Sequence, residues 1–406
     1  MKNVYILDEH ITSAKNGIGT FLKVYMKCLK KIEANICLIV FNADCDEFSI
    51  SFRNGVKYIS FPRFPWGNFT NHSDIVNKFF RLYIEDSLDN VFCFNHSPCD
   101  ELLLKVHQSH PLSKLIFIIH NQFWTGVFKG DEAMFRKVVL EKERPEIRKK
   151  YPQLTLIYEM EQRMYEVADA VVALSPGTYR LLLDVYKVKK DKIWLIPNGL
   201  PGNSYCDISR RHELRNQFSI KEDEFIILFV GRVSELKGGR ALCRAFNYVL
   251  EQYPQSRLII AGPIVEQFSS YSSGIGFSKI VYTGLLKSKE LRKWYQMADI
   301  GVISSYTEQC SYVGIEMMMY RLPIVASDGF GLCDMFTDRM NALVAPIGDR
   351  KKGEKGFSRY LGFAIKELLS SEKLREELRE NARETYCKRY NLYRIQKDYN
   401  QLFESI

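Results

Sequence analysis

The sequence predicts an α/β protein built from two doubly wound sheets, one in each half of the chain. Three observations carry this prediction. Short β-rich apolar runs alternate with longer helical patterns from end to end, as parallel sheets with crossover helices require. A stretch dense in breakers, Pro197-Asn198-Gly199-Leu200-Pro201-Gly202-Asn203, interrupts the alternation near its middle. A length of 406 residues with 46% hydrophobic content suffices for two cores of ordinary size.

In the first half, Val4–Leu7, Ile36–Phe41, Val91–Phe94, Leu115–Ile119, Ala170–Leu174 and Lys192–Ile196 read as buried parallel strands. In the second half, Phe225–Val230, Arg257–Ala261, Lys279–Tyr282, Ile300–Ser304 and Pro323–Ser327 repeat the pattern. Region 123–166 departs from this rhythm. It combines Phe123, Trp124, Phe128, Phe135, Arg136 and Lys137 with long charged helical patterns. Two readings stand side by side: an insertion of the first domain that builds an acceptor site, or a solvated helical excursion.

Composition narrows the function classes. A net charge of +9, spread over both halves, suits phosphorylated ligands and falls short of a dedicated nucleic-acid binder. Local basic clusters at Arg148-Lys149-Lys150 and at Lys187, Lys189 and Lys190 read as solvated helix faces, with peripheral contact to anionic lipid as the minority reading. The ten cysteines show neither a C-x-x-C pair nor a metal-ligand rhythm, so no zinc site and no disulfide framework is expected. The opening Met1–Leu7 reads as a strand ended by Asp8, and no run approaches the roughly 18–20 apolar residues of a membrane span. A cytoplasmic protein with reduced thiols is expected, in which the sequons at Asn68, Asn71 and Asn95 carry no sugar.

The chemically most informative stretch is Ser305-Tyr306-Thr307-Glu308-Gln309-Cys310-Ser311-Tyr312-Val313-Gly314-Ile315-Glu316. Glu308 lies on a polar loop after an apolar strand, and Glu316 lies about one turn into the following helix. A helix start attracts phosphate through unpaired N–H groups and the positive end of its dipole. Carboxylates beside it accept hydrogen bonds from sugar hydroxyls. A phosphate cradle with hydroxyl acceptors describes a pocket for a nucleotide sugar.

The spacing Glu308-x7-Glu316, followed by Leu322-Pro323-Ile324-Val325-Ala326-Ser327-Asp328, resembles the Glu-x7-Glu signature of family 4 retaining glycosyltransferases of the GT-B fold. The resemblance implies two Rossmann-like domains facing a central cleft. These are an acceptor-side domain over 1–200, a nucleotide-sugar domain over 201–385, and a terminal helix over 386–406 that crosses back to brace the first domain. It implies that Glu316 clasps the nucleotide's ribose, that Glu308 lies against the donor sugar, and that amides around Cys310, Ser311, Tyr312 and Val313 hold the diphosphate. Gln309 and Ser311 replace two glycines of the usual loop, and Arg321 stands where a helix-ending glycine is common. The loop is therefore expected to use ordinary backbone angles, with the Ser311 hydroxyl joining the phosphate contacts.

Other segments fit the same pattern. Gly231-Arg232-Val233-Ser234-Glu235-Leu236-Lys237-Gly238 resembles the segment whose two cations, here Arg232 and Lys237, grip the donor diphosphate. The departing diphosphate gains negative charge, which a fixed guanidinium and ammonium stabilise without reorganising. Gly17 and Gly19 match the glycine loop that reaches the donor from the first domain. His120-Asn121 falls where the family keeps a cleft-facing histidine near sugar and acceptor. Asn198 matches a hinge bordering the cleft, and Leu286 ends the segment that packs on the nucleobase. Asp44-Cys45-Asp46 imitates a metal-binding Asp-x-Asp but reads as a solvated loop, while Asp169 and Asp299 read as structural turns.

The expectation is thus a retaining, hexosyltransferase-like enzyme. It moves sugar from a UDP- or GDP-linked donor to a glycan, lipid-linked or peptide acceptor, without metal or other cofactor and without nucleic acid. The cytoplasmic location extends to the inner face of the membrane. Three rivals remain: a nucleotide-sugar-binding partner without catalysis, a GT-B epimerase, and a dinucleotide-dependent dehydrogenase. The last lacks a Gly-x-Gly-x-x-Gly turn with an acid about 20 residues on.

Overall fold

The computed structural model describes the chain apart from residues 10–16, 64–72, 96–99, 203–207, 264–274 and 351–352. The chain forms two compact units. Unit 1 comprises Met1–Val127, Glu132–Gly199 and Leu392–Ile406; unit 2 comprises Phe128–Asp131 and Leu200–Asn391. Both are α/β, each with one sheet.

The sheet of unit 1 is built from β1 (Asn3–Glu9), β2 (Asn35–Ala43), β3 (Ser49–Arg53), β4 (Val56–Pro62), β5 (Asn90–Asn95), β6 (Lys114–Ile119), β7 (Ala170–Ala173) and β8 (Ile193–Leu195). Their order is β3-β4-β2-β1-β5-β6-β7-β8. The chain winds outward from β1 to β2 and β4, then reverses and winds the other way through β5 to β8. Where the order reverses, between β1 and β5, the carboxyl ends of neighbouring strands open a crevice for ligands. One feature departs from the all-parallel expectation: β3 pairs antiparallel with β4. Asn54 and Gly55 join them with φ of 52° and 79°, the left-handed pair that a tight hairpin turn demands.

Region 123–166 forms four helices, Phe123–Val127, Glu132–Leu140, Pro145–Lys150 and Pro152–Val167. Trp124 and Phe135 stack 4.7 Å apart and are both buried. These two aromatics are therefore core. Residues Phe128–Asp131, between the first two helices, count with unit 2. The C-terminal boundary also differs from expectation. Tyr386–Tyr390 is a π-helical turn of unit 2, and the last helix, Leu392–Ser405, belongs to unit 1. Its buried Ile395, Tyr399, Leu402 and Phe403 enter the core of unit 1, with the Tyr399 ring 4.8 Å from that of Tyr25.

Unit 2 carries β9 (Ile226–Val230), β10 (Arg257–Ala261), β11 (Ile280–Gly284), β12 (Ile300–Ile303), β13 (Ile324–Ser327) and β14 (Leu343–Ala345) in the order β11-β10-β9-β12-β13-β14. All pairs are parallel, and the order reverses between β9 and β12. Helices Gly239–Leu250 and Lys355–Ser370 cover the sheet with Phe246, Val249, Phe357, Leu361 and Ile365. Each such buried side chain contributes about 1.5–3 kcal/mol. Asp299 fixes the start of β9 by accepting from Ile226 N at 2.7 Å while pairing with Arg211 and Arg215. Asp169 does the same for β6 through Leu115 N at 2.9 Å. Among the described residues no helix is long and apolar enough to cross a membrane.

Candidate functional site

The reversal between β9 and β12 brings two loops together, Gly231–Gly238 after β9 and Ser304–Ser311 after β12. Their union depends on one glycine. Gly238 has φ of 67°, and a Cβ there would stand 2.0 Å from the Ser304 carbonyl oxygen. With no side chain in the way, Ser304 Oγ donates to Lys237 O at 2.9 Å, and Tyr306 N donates to Leu236 O at 2.8 Å. Two segments remote in sequence are thereby fastened side by side.

Lys237 and Glu308 meet across this junction. Lys237 Nζ lies 2.5 Å from Glu308 Oε1, and Ser305 Oγ donates to the same oxygen at 2.8 Å. Glu308 N donates to Phe330 O at 2.9 Å, which anchors the backbone that carries the carboxylate. Gly331 makes the approach tight, since its added Cβ would meet Glu308 O at 1.9 Å. The segment Phe128–Asp131 packs on the same loop. Lys129 pairs with Glu235, its ammonium stands 5.9 Å from the Tyr306 ring centroid, and its carbonyl accepts from Arg350 Nε at 2.9 Å. Arg232, by contrast, is exposed and forms no ion pair among the described residues.

Glu316 lies on the helix Tyr312–Met319, which β12 holds close because Gly301 has no side chain; a Cβ there would fall 2.5 Å from Met317 Sδ. Tyr295 OH donates to Glu316 Oε2 at 2.6 Å, and the Tyr295 ring stacks on Tyr320 at 5.2 Å. Burial pushes the Glu316 carboxyl above the usual range, against the pull of the Tyr295 hydroxyl and the Arg292 charge. Glu316 is half-buried, and its second oxygen takes no hydrogen bond among the described residues. It remains available to a ligand hydroxyl.

The loop keeps ordinary backbone angles, as the absence of its usual glycines requires: no residue from 304 to 311 has positive φ. Arg321 instead takes the left-handed conformation, φ 55°, and Leu322 N closes the helix onto Met317 O at 2.9 Å. The amide supply differs from expectation. Ser311 caps the helix, its Oγ accepting from Gly314 N at 3.3 Å, and its own N–H points at Met335 Sδ. The Ser311 hydroxyl thus serves the helix first, which reduces the free donors at this helix start. Cys310 is buried beneath the loop, and Tyr312 and Val313, half-buried, open the helix. Leu286, also half-buried, follows Gly284, whose φ is 66°.

In unit 1, Gly17 and Gly19 open the helix Gly17–Leu29, whereas the preceding Asn16 lies outside the described residues. His120 follows β6; its Nε2 is 2.5 Å from Asn95 Oδ1, and its ring meets Phe21 edge-on at 4.4 Å. Asn121 is exposed, its Oδ1 3.1 Å from Thr125 Oγ1, whose hydroxyl also reaches Gln122 O at 2.8 Å. Behind this turn the buried Glu161 accepts from Phe123 N at 3.3 Å and from Tyr186 OH at 2.5 Å. Burial pushes its carboxyl up to about 7, against those two hydrogen bonds. Asn198 is buried at the end of unit 1. Asn95 is wholly buried, which removes it as a glycosylation site on the folded chain; Asn68 and Asn71 lie outside the described residues. Asp44 is exposed, 3.9 Å from Arg63, as befits a solvated loop.

Sequence reasoning missed Tyr295, and it quoted Ser305, Gly238 and Phe128 within longer segments without giving any of them the contact seen here. The glycine that ends the Gly231–Gly238 segment was legible as part of the motif, but its close approach to the Ser304 carbonyl was not. Tyr295 stands 21 residues from Glu316, and no spacing rule links them.

Residues 210–385 match the family model described as Glycosyl transferases group 1. Among curated relatives, the uncharacterized glycosyltransferase MJ1607 of Methanocaldococcus jannaschii is 27% identical over 251 residues, 60% of this chain and 61% of that protein. A D-inositol 3-phosphate glycosyltransferase of Streptosporangium roseum is 26% identical over 213 residues, 50% of this chain and 49% of its own length. The chain thus spans about half to three-fifths of the length of these two curated relatives. Among solved structures, sucrose-phosphate synthase from Thermosynechococcus elongatus superposes with a TM-score of 0.76 at 18% identity, covering 100% of this chain and 99% of that one. Anabaena Alr3699/HepE, solved in complex with UDP-glucose, gives 0.71 at 15% identity and covers 100% of both chains. These likenesses show the fold, two Rossmann-like units of the GT-B type.

Proposed function

We propose that this protein is a retaining glycosyltransferase that moves a sugar from a nucleoside-diphosphate donor to a hydroxyl-bearing acceptor. One observation carries the reading. The loops after β9 and β12 are fastened together where the strand order reverses, and there Lys237 and Glu308 meet at 2.5 Å. A crevice at such a reversal suits a nucleotide. The family match over 210–385 falls on the same unit, and a structural neighbour is solved with UDP-glucose.

In this reading Lys237 has three donors, of which Glu308 takes one, leaving two for phosphate oxygens. The exposed Arg232 guanidinium supplies a bidentate grip on the same diphosphate. Cys310, Ser311, Tyr312 and Val313 bring the helix start to it. Glu316, aimed by Tyr295, accepts from ribose hydroxyls, and Leu286 lies against the base. Glu308 orients the donor sugar. His120, Asn121, Gly17, Gly19 and Asn198 are assigned to contacts with sugar or acceptor.

As the glycosidic bond breaks, negative charge grows on the leaving diphosphate. Fixed cations stabilise it without reorganisation, so the transfer needs no divalent metal. The departing phosphate takes the acceptor's proton on the same face, which keeps the anomeric configuration without a protein nucleophile.

The test is incubation with UDP- and GDP-sugars plus a panel of glycan, lipid-linked and peptide acceptors, read by proton NMR. Release of nucleoside diphosphate with a product of unchanged anomeric configuration is expected. An inverted product would overturn the retaining mechanism. Donor consumption with no acceptor in the tube would replace transfer by epimerisation.

A further inference from the structure

Edge strand β3 of the first sheet and the two residues before it, 47–53, read the same from both ends. Around Ile50, Phe48 matches Phe52 and Ser49 matches Ser51, while the flanking Glu47 and Arg53 carry opposite charges. Side chains alternate along a strand, so Phe48, Ile50 and Phe52 share one face and Glu47, Ser49, Ser51 and Arg53 the other. The three apolar residues are 42%, 44% and 74% exposed. Glu47 and Arg53 are exposed and form no ion pair among the described residues; the Arg53 guanidinium stands 5.4 Å from the Tyr58 ring centroid.

The backbone of β3 is as open as its side chains. The two-residue turn to β4 makes Arg53 and Val56 a hydrogen-bonded pair, and in an antiparallel ladder such pairs alternate. Ser51 and Ser49 therefore bond to β4, while the N–H and C=O groups of Ile50 and Phe52 point the other way. No strand lies on that side among the described residues, since β3 ends the sheet order. Edge strands are ordinarily blunted by lysine, proline or a bulge, and none of these interrupts residues 48–52. On the apolar face, Phe79 of the helix Ser73–Tyr83 rests 5.1 Å from Phe48 and stacks on Tyr83 at 4.4 Å. Tyr83 and its neighbour Leu82 are 63% and 79% exposed, so the uncovered apolar surface runs from the strand edge onto this helix.

We propose that β3 pairs antiparallel with β3 of a second copy of this chain, about a two-fold axis at Ile50, closing a dimer through unit 1. In that register Ile50 faces Ile50, Phe48 faces Phe52, Ser49 faces Ser51, and Glu47 faces Arg53 twice. The outward N–H and C=O groups of Ile50 bond the same groups of the copy. Cross-strand aromatic and opposite-charge pairs of this kind stabilise a sheet. The symmetry also decides against other uses of the edge. A parallel stack would set Glu47 on Glu47 and Arg53 on Arg53, and like charges directly opposed destabilise. Antiparallel pairing uses the same patch on both copies, so one contact consumes both edges and assembly stops at two. An anionic lipid surface would be repelled by Asp46 and Glu47, both exposed at one end of the strand.

Sedimentation velocity of the full chain over a concentration series tests this, with circular dichroism to show that each variant folds. The wild type is expected to reach twice its 47.4 kDa. Ile50→Lys sets two ammonium groups against each other at the axis and is expected to leave a monomer. Glu47→Arg alone and Arg53→Glu alone oppose like charges twice, and each is expected to weaken the dimer by roughly tenfold or more. Mixed in equal amounts, these two variants are expected to recover a dimer, because each then meets its opposite charge at both ends. That rescue is specific to the register and decides the matter even if Ile50→Lys fails to fold. A wild type that stays monomeric would overturn the proposal, and its co-sedimentation with phosphatidylglycerol vesicles would then give the edge to lipid. The proposal would also fall on a dimer that folded Ile50→Lys leaves intact, on a mixture no tighter than the single variants, or on growth beyond two copies.

Discussion

Gly238→Ala is the perturbation that separates the β9/β12 junction from its chemistry, because it alters no charged or hydroxyl group. Two costs can be read from the geometry. A left-handed backbone at φ 67° costs an L-residue roughly 1–2 kcal/mol. The added methyl would stand 2.0 Å from the Ser304 carbonyl oxygen, well inside contact distance, so one loop must move by more than 1 Å, on the order of the overlap. Such a shift strains the Ser304–Lys237 and Tyr306–Leu236 hydrogen bonds, each worth about 0.5–1.5 kcal/mol. The expected loss is about 2–4 kcal/mol, with the Lys237–Glu308 pair pulled apart. Thermal unfolding should show unit 2 melting several degrees lower. Transfer should fall by roughly 10²-fold, the scale at which a 1 Å misplacement acts. An alanine variant with wild-type melting and wild-type donor affinity would refute the claim that this glycine assembles the site.

Three further outcomes follow from named contacts. Glu161 is held in the folded chain with its carboxyl up to about 7, against 4.5 for the ordinary group. The folded state therefore binds its proton more tightly than the unfolded one, and stability falls as pH rises from about 4.5 to 7, then stays level, a total of about 3 kcal/mol. Glu161→Gln should remove that slope in denaturant titrations; an unchanged slope would show that the carboxyl does not carry it. Glu316→Gln should weaken donor binding by about 10- to 150-fold, since a charged hydrogen bond of about 1.5–3 kcal/mol becomes a neutral one. Equal affinity would take Glu316 out of the ribose contact. Removing residues 392–406 deletes the buried Ile395, Tyr399, Leu402 and Phe403, roughly 6–12 kcal/mol of burial at about 1.5–3 each. Unit 1 should unfold and transfer vanish while unit 2 keeps its own melting transition, and a fully active truncated protein would contradict the brace.

Much of the fold was legible because buried parallel strands leave continuous apolar runs. All eleven expected strands are present within a residue or two of their limits. The missed hairpin β3–β4 had a local sign in Asn54-Gly55. Its first strand, Ser49–Arg53, is nearly all exposed, so no apolar run marks it. Strand β14 is three residues long, below what periodicity resolves. In the candidate site, the spacing of Glu308 and Glu316 was visible because one loop and one helix turn carry both. The bond from Lys237 to Glu308 spans 71 residues, and only the parallel order of β9 beside β12 creates it. The contact from Asn95 to His120 is likewise a product of strand order. Alone, His120 looked like a strand end and Asn95 like an idle sequon. Arg321 shows the opposite case, in which local preference for glycine yields to the closure of Leu322 N on Met317 O.

The central claim is that Arg232 and Lys237 hold the donor diphosphate at the β9/β12 reversal without a metal ion. Calorimetric titration with UDP and GDP in the presence of EDTA measures this directly, on the wild-type chain and on Arg232→Ala and Lys237→Ala. Arg232 is exposed and Lys237 half-buried, so both variants should fold with nearly unchanged melting. Wild-type binding of one of the two nucleotides is expected in EDTA. Each substitution should weaken it by about 10- to 150-fold, the equivalent of one charged hydrogen bond of about 1.5–3 kcal/mol. Wild-type affinity in both variants, or binding that appears only when Mn²⁺ or Mg²⁺ replaces the chelator, would contradict the account.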